Sequence, residues 1–431
     1  MNLLAVILTV LAGLCLLSLP RRWATLPLLI GISYMSTDSS VDLGALHFTG
    51  TRILVAIGVL RVILRGERIE GGMNTLDRML IAWAAWTVCS SFFHDNPSAA
   101  LIFRLGLVYN CLGFYFLLRV FIQDANDILS VFKIVLIALV PIALEMLIEA
   151  GSGRDLFSML GGVPDLSEVR GDKVRAQGPF TNPILAGSVG AVCLPMAILF
   201  WKKNRKLALL GLAAAGSVVV TSRSSGPILT LFFTIMGLAC WKFRRYMRQF
   251  RWGVLIGIIL LNMVMQVPVY YLLDRINLTG HSTGWHRAQL IDSAINHVGD
   301  WWLGGTDYTR DWTPESGYDK NDTDITNHYI RMAVWGGLPM LLLFVGSLIA
   351  AFGLVAKALQ AHETAPFQEQ FIIWTLGCIL FGHLVTMISV SYFDQTVFFL
   401  YLILAAIGSL RTSPAVETAL EGEIVCEMPS R

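Results

Sequence analysis

The sequence predicts an all-α polytopic membrane protein, and three observations carry that prediction. Of 431 residues, 55% are hydrophobic and only 14% charged, against about 25% charged in an average soluble domain. The apolar residues gather into about 12–13 runs, each near the ~20 residues that a membrane-spanning helix needs. Lys and Arg fall in short connections at alternating ends of those runs, the pattern of cytoplasmic loops. A net charge of +2, spread over many such loops, makes no basic patch, so no nucleic-acid partner is expected.

The runs lie near 3–19, 24–36, 48–64, 79–93, 104–122, 128–149, 182–201, 207–221, 226–241, 252–272, 329–356, 370–390 and 395–410. The first lacks a basic leading region, and Pro20-Arg21-Arg22 follows it where a cleavage site would need small residues. It therefore reads as a span and not as a signal peptide. Arg21/Arg22, Arg61/Arg65/Arg68/Arg78, Lys202/Lys203/Arg205/Lys206 and Lys242/Arg244/Arg245/Arg248/Arg251 mark the cytoplasmic connections. An odd number of spans then places the N-terminus outside, with residues 1–411 as one membrane domain and 412–431 as a short, acidic cytoplasmic tail.

Two long polar segments, about 150–181 and 273–328, share the extracytoplasmic side. Connections this long are usually functional or disordered. Phe157, Met159 and Leu160 in the first, and Trp285, Trp301, Trp302 and Trp312 in the second, argue that both fold over something. All seven cysteines lie in spans or the tail, so no disulfide framework is expected.

Four stretches can carry chemistry. In "DKVRAQGPFTNPILAG", Pro179 and Pro183 hold the residues before them extended, so a helix begins near 182–184 with its positive end outward. Arg175, Arg170 and Lys173 beside it make an interfacial anion site. Arg in particular presents a rigid fork suited to phosphate. The structural alternatives for Arg175 are a headgroup contact or an ion pair with Asp172 or Glu168. In "VVVTSRSSGPILTLFF", Arg223 sits in a tight turn between apolar runs, where it either lines a polar cavity or snorkels. Ser222, Ser224 and Ser225 are available to cap the next helix.

The third stretch, "TGWHRAQLIDSAINHVGDWWLGG", has helical spacing of Ala288, Leu290, Ile291, Ala294 and Ile295. It predicts an amphipathic surface helix with Arg287 at its start, Trp301-Trp302 as interface anchors and a turn at Gly304-Gly305. In the fourth, "TDITNHYIRMAVWGG", His328 stands at the mouth of a span among Asp324, Asn327, Tyr329 and Arg331. A histidine there suits proton transfer at neutral pH, with Asp324 as the competing base and simple packing as the structural alternative. His281, His286 and His297 have no zinc-ligand spacing, so no metal and no cofactor are expected.

Taken in order, these stretches resemble the O-antigen ligase and O-antigen polymerase superfamily of bacterial envelope polysaccharide assembly. The resemblance covers roughly 165–345 and the many-span architecture. It rests on Arg175, Gly178, Phe180, Asn182 and Pro183 as "R-x-x-G-x-F-x-N-P" and on Thr221 to Arg223 as a "T-x-SR" turn. Arg287 and Gly304-Gly305 follow, and Asn327 and Tyr329 stand as part of "H-N-x-Y". Thr326 occupies the place of that motif's histidine, and His328 lies two positions on, so Asp324 remains an equal candidate for the base.

The resemblance implies glycosyl transfer at the extracytoplasmic face of a bacterial cytoplasmic membrane. The donor would be a glycan on undecaprenyl pyrophosphate. Arg170, Asn182, Arg223, Asn327 and Tyr329 would bind donor or glycan, while Arg175 and Arg287 would stabilise the leaving group. His328 or Asp324 would deprotonate the acceptor, giving metal-independent inversion at the anomeric carbon. The acceptor would be another lipid-linked repeat, in an exopolysaccharide or capsule polymerase, or lipid A-core, in a ligase. Partners implied are the bilayer and the flippase and chain-length regulator of the same pathway. A lipid-linked glycan flippase is the alternative of a different class, opposed by the scarcity of intramembrane charge, of which Glu145 is the main instance.

Overall fold

Asparagine and aspartate begin seven of the α-helices. In the computed structural model, which describes residues 1–43, 46–275, 284–312 and 323–410, side chains of this kind accept first-turn amides at Asn2, Asn74, Asn96, Asp124, Asn182, Asn204 and Asn327. Such caps satisfy amides that have no intrahelical partner. The helices in chain order are α1 (Leu3–Ser18), α2 (Thr25–Tyr34), α3 (Gly50–Arg65), α4 (Thr75–Cys89), α5 (Pro97–Val108), α6 (Phe114–Phe121), α7 (Ala125–Ser152), α8 (Pro183–Leu199), α9 (Arg205–Thr221), α10 (Ser225–Ala239) and α11 (Met247–Val264). Short α12 (Leu272–Arg275), α13 (Gly284–Asn296) and α14 (Val298–Trp301) precede α15 (His328–Ala361), α16 (Phe367–Ser389) and α17 (Thr396–Gly408). A π turn at Tyr109–Gly113 joins α5 to α6.

The chain is thus an all-α polytopic membrane protein. Among the described residues, five helical runs are long and apolar enough to cross a membrane, and α1, α8 and α17 are shorter apolar helices. Every expected span is overlaid by a helix. One large core unites residues from α1 to α9 with others from α15 to α17, while Leu144, Leu147, Ile148 and Ile349 on the outside remain exposed, as lipid-facing positions do.

Helix ends sort into two sets. At one end, Arg21 binds Asp127 and the Phe121 carbonyl, Arg61 and Arg65 reach carbonyls that close α1, and Asn74 reaches Gly408. This is the basic face. At the other, the N-terminal ammonium meets the Ser40 carbonyl, Asn2 meets Met159, and Ser36 meets Gly162. This is the loop face. Two antiparallel hairpins lie on it: β1 (Ser40–Leu43) with β2 (Leu46–Thr49), and β3 (Glu168–Arg170) with β4 (Lys173–Arg175). Neither hairpin was expected from the sequence: the strands of the first adjoin apolar runs that read as spans, and those of the second lie in a segment that reads as a long polar loop.

Two other expectations change. Lys242 to Arg251 lie on helical turns, in one 40-residue helical run from Ser225 to Val264, instead of in a loop. None of the residues of α11 is buried. The tryptophan pair also divides its roles: Trp301 is buried and donates to the Ala294 carbonyl at 2.8 Å, whereas Trp302 is exposed. The buried indole braces α13 and does not anchor it in an interface.

The helix α15 is broken at Gly336 and Gly337, where φ is −153° and +74°. A break inside apolar surroundings leaves carbonyls unpaired, each at a cost of about 1–3 kcal/mol. Here they find partners: Val334 accepts from the Thr306 amide at 2.9 Å, Gly336 from the Trp86 indole at 2.7 Å, and Trp335 from His94 and Arg104. His94 is in turn paired with Asp307 at 2.5 Å. The Gly304-Gly305 turn packs directly on the break, since a Cβ at Gly337 would collide with the Leu303 carbonyl and one at Gly305 with that of Val334.

Gly337→Ala should therefore lower stability by more than about 2 kcal/mol, through left-handed strain and backbone collision together. Gly353→Ala, in open space on the same helix, should be neutral or slightly stabilising. Thermal denaturation of the two variants in detergent checks the pair.

Candidate functional site

The end of α16 and the chain joining it to α17, residues 388–395, read "ISVSYFDQ", and their polar groups organise the loop face. Asn327 donates to the Ile388 carbonyl at 3.2 Å, Arg287 to the Ser389 carbonyl at 3.1 Å, and Ser391 to the Ile325 carbonyl at 2.6 Å. The Tyr392 amide donates to His328 Nδ1 at 3.2 Å. Asp394 accepts from the Thr181 amide and hydroxyl, and Gln395 donates to the Pro179 carbonyl. Three of the four stretches singled out in the sequence are thus bonded to one short segment. Burial raises the Asp394 carboxyl above its usual value, while bonds from Thr396 and Thr181 oppose that shift. Sequence reasoning missed this segment, although Ser391, Asp394, Gln395 and Thr396 break an otherwise apolar run.

Beside it opens a cavity of about 570 Å³. Leu80, Trp83, Phe398, Leu400 and Leu404 line its depth, and Thr37, Asp38, His47, Thr49, Arg52, Arg331 and Asp394 are among its polar lining. The π turn contributes Asn110 and Cys111, a local rearrangement of the kind found at functional sites. Arg52 is held by Asn110 at 3.1 Å and by the His47 carbonyl at 2.6 Å. Arg331 lies over the Trp335 and Phe393 rings, each 5.6 Å from its guanidinium carbon. Asp38 is exposed, with enough burial of its surroundings to push its carboxyl above the usual carboxylate value. The cavity therefore joins an apolar interior to a mouth bearing both cations and carboxylates.

His328 is the one expected site residue that lines this cavity. It is 3% exposed, starts α15, and packs against Phe344 and Tyr392. Because Nδ1 accepts the Tyr392 amide, the neutral ring carries its proton on Nε2. Asn327 caps α15 through the Tyr329 and Ile330 amides, and the Tyr329 hydroxyl donates to the Leu384 carbonyl at 3.2 Å. Asp324 is exposed and lies off the cavity lining; its carbonyl accepts from His286. His297 bonds the Ser293 carbonyl, and His281 lies outside the described residues.

The remaining cations occupy a neighbouring part of the loop face. Arg175 is 3% exposed and makes the ion pair with Glu168 that was the structural alternative, at 2.7 Å, with a second bond to the Ser224 hydroxyl at 2.6 Å. Its Nε is buried without a partner. Burial lowers the Arg175 pKa from its usual value, with Glu168 opposing and Arg170 reinforcing. Arg175 thus clamps β4 onto the α9–α10 turn, helped by the Ala176 amide on the Thr221 carbonyl at 3.1 Å. Ser224, expected as a cap, serves that clamp instead and makes no capping bond.

Arg223 is exposed in the left-handed region, φ +45°, a conformation costing roughly 1–2 kcal/mol for a residue with a Cβ. Burial lowers the Arg287 pKa, and the nearby Arg170 lowers it further. Arg170 is itself exposed and weakly paired with Glu168 at 3.6 Å. Asn182 caps α8 through the Ile184 amide at 2.9 Å, as its position before Pro183 suggested. None of Arg170, Arg175, Asn182, Arg223 or Arg287 lines the cavity. Of these, Arg287 reaches the Ser389 carbonyl at the end of α16, and Arg170 lies close enough to it to be felt electrostatically.

Compared with known proteins, the chain matches no family model and no curated protein.

Replacing His328 tests the tautomer. His328→Asn offers an oxygen near the Nδ1 position and should hold the Tyr392 amide. His328→Ala leaves that amide unpaired and should cost about 1–3 kcal/mol. Nitrogen-15 spectra of ring-labelled wild type should show the Nε2–H form at neutral pH.

Proposed function

We propose that the protein transfers a glycan from a polyprenyl pyrophosphate donor to an acceptor hydroxyl at its loop face, as an exopolysaccharide or capsule polymerase does. The observation that carries this reading is the cavity beside α15, with its apolar interior and its two mouth arginines. A polyprenyl chain needs a lipid-like groove, and a departing pyrophosphate needs fixed positive charge in a partly dry site. Arg52 and Arg331 meet that need, and they take the place that Arg175 holds in the expected mechanism. Arg170, Arg223 and Arg287 widen the positive field on the loop face.

In this reading the acceptor oxygen attacks the sugar's anomeric carbon as the bond to pyrophosphate breaks. The electron pair leaves with the phosphate oxygen, and the configuration inverts. The hydroxyl proton passes to a carboxylate, for which Asp38, on the cavity lining, fits better than Asp324, which lies off it. His328, holding its proton on Nε2, donates to the leaving oxygen and does not take the acceptor's proton. The loop face is the extracytoplasmic side, because the opposite face carries the Lys- and Arg-rich connections.

A second reading is favoured by the break in α15. Discontinuous helices beside a central cavity are a recurring feature of transporters, and a flippase for the same lipid-linked glycan would use the same apolar groove and arginines. Ligation to lipid A-core shares the chemistry of polymerisation and differs only in the acceptor.

Purified protein given a lipid-pyrophosphate oligosaccharide separates these readings. Longer lipid-linked glycans should form with wild type, and Arg52→Ala and Arg331→Ala should each slow transfer about 10²-fold or more. Asp38→Asn should lose more activity than Asp324→Asn, and Arg175→Ala should act through a lower melting temperature. Unelongated glycan that crosses a proteoliposome bilayer would replace the transferase reading with the flippase reading.

A further inference from the structure

The geometry points to a divalent-cation site, of the hard, oxygen-ligated kind, formed by Glu145, Glu149 and Asp155 beneath the first long loop. Nothing in the transfer reading uses these residues, and the site stands or falls independently of it. Glu145 and Glu149 are one turn apart on α7, so they project from the same face. Asp155 follows the end of that helix, where Gly153 turns the chain with φ +73°. The three residues are 7%, 0% and 1% exposed, and each offers a carboxylate oxygen within 4.8 Å of the others. Two oxygens on opposite sides of a calcium ion, each at about 2.4 Å, stand about 4.8 Å apart.

Three buried carboxylates repel one another and lose their hydration, so the cluster requires a counter-charge. Among the described residues, no Lys, Arg or His makes an ion pair with any of the three. Glu149 is supported by the amides of Gln177 at 3.0 and 3.1 Å and of Gly178 at 2.9 Å. Those amides approach closely because Gly178 has φ +57° and no Cβ. One Glu145 oxygen takes the Leu156 amide at 2.9 Å, and one Asp155 oxygen takes the Phe157 amide at 2.8 Å.

The other two oxygens, Glu145 Oε2 and Asp155 Oδ2, are inaccessible to solvent and accept from no donor, although the two carboxyls lie within hydrogen-bond reach of each other, a pairing that needs a proton or an ion between them. These unpaired oxygens are a second observation, separate from the clustering. They are a set of acceptors with no donor, which is what an ion fills. Backbone amides fix the first oxygen of each carboxylate and leave the second free to coordinate. Oxygen ligands without sulfur or imidazole select Ca²⁺ or Mg²⁺ over softer ions.

An ion here would tie α7 to Asp155 and, through Glu149, to the Gln177-Gly178 corner that enters α8. It would thereby brace the segment carrying Arg175. The competing account is that the carboxylates share protons, and burial, with Glu149 and then Glu145 beside it, pushes the Asp155 carboxyl up to about 8.

Full-length protein in detergent, stripped with EDTA and titrated with CaCl₂, MgCl₂ or MnCl₂ alone, distinguishes the two. Equilibrium dialysis should find one saturable ion per chain, and the melting temperature should rise with the logarithm of its concentration. Glu145→Gln and Asp155→Asn, each close to isosteric, should weaken binding about tenfold or more, while Asp165→Asn on the exposed turn should not. Absence of saturable binding to wild type would overturn the site, as would binding unchanged in both variants. If wild type binds nothing and Asp155→Asn melts higher than wild type at neutral pH, the carboxylates share protons instead. Both readouts are independent of glycosyl transfer.

Discussion

The loop face depends on backbone groups that a terminating helix cannot pair for itself. When α16 ends at Ser389, the carbonyls of its last turn point away from their intrahelical partners. Asn327 and Arg287 take those of Ile388 and Ser389. Beyond them, the unpaired amide of Tyr392 finds His328, and Asp394 receives the chain entering α8. In apolar surroundings every one of these groups costs about 1–3 kcal/mol if left alone. The need to satisfy them therefore draws segments from 181, 287 and 327 to a common place. The site residues converge because the scaffold's own polar groups have to be paired.

The same constraint explains the break in α15. Its freed carbonyls are satisfied by side chains from α4, from the α4–α5 connection and from α5, and by the turn after α14. The break consequently locks the second long loop onto the bundle. It also lets Arg331 and Trp335, on the half-helix before the break, face the cavity. Charge placement follows a similar logic. Arg175, buried against Glu168 and Ser224 with its Nε unpaired, holds the β3–β4 hairpin in position, while Arg52 and Arg331 line the cavity.

How much of this the sequence disclosed follows from the range over which each feature is determined. Helix positions are set by about 20 consecutive residues, and Pro183, Asn182 and Asn327 mark starts that chemistry alone dictates. The amphipathic spacing of α13 is similarly local. The cavity is not local: Arg52, Asn110, Arg331 and Phe398 are brought together by packing between helices far apart in the chain. The break at Gly336-Gly337 is likewise not local, because it is fixed by the Leu303 carbonyl and the Gly304 amide packed against it. Ser224 reads as a cap until Arg175 claims its hydroxyl. Of the expected site, His328 reaches the cavity, while the arginines and Asp324 stand off its lining, because a residue's neighbours across the fold outweigh its neighbours in sequence.

The exposed helix α11 has a consequence for how the protein meets its surroundings. With none of its residues buried, its strongest contacts are with the helical turns at its two ends. Packing therefore contributes little to its inclination, which is governed by how its apolar length matches the thickness of the hydrocarbon around it. Its far end leads through α12 to α13, the element that carries Arg287.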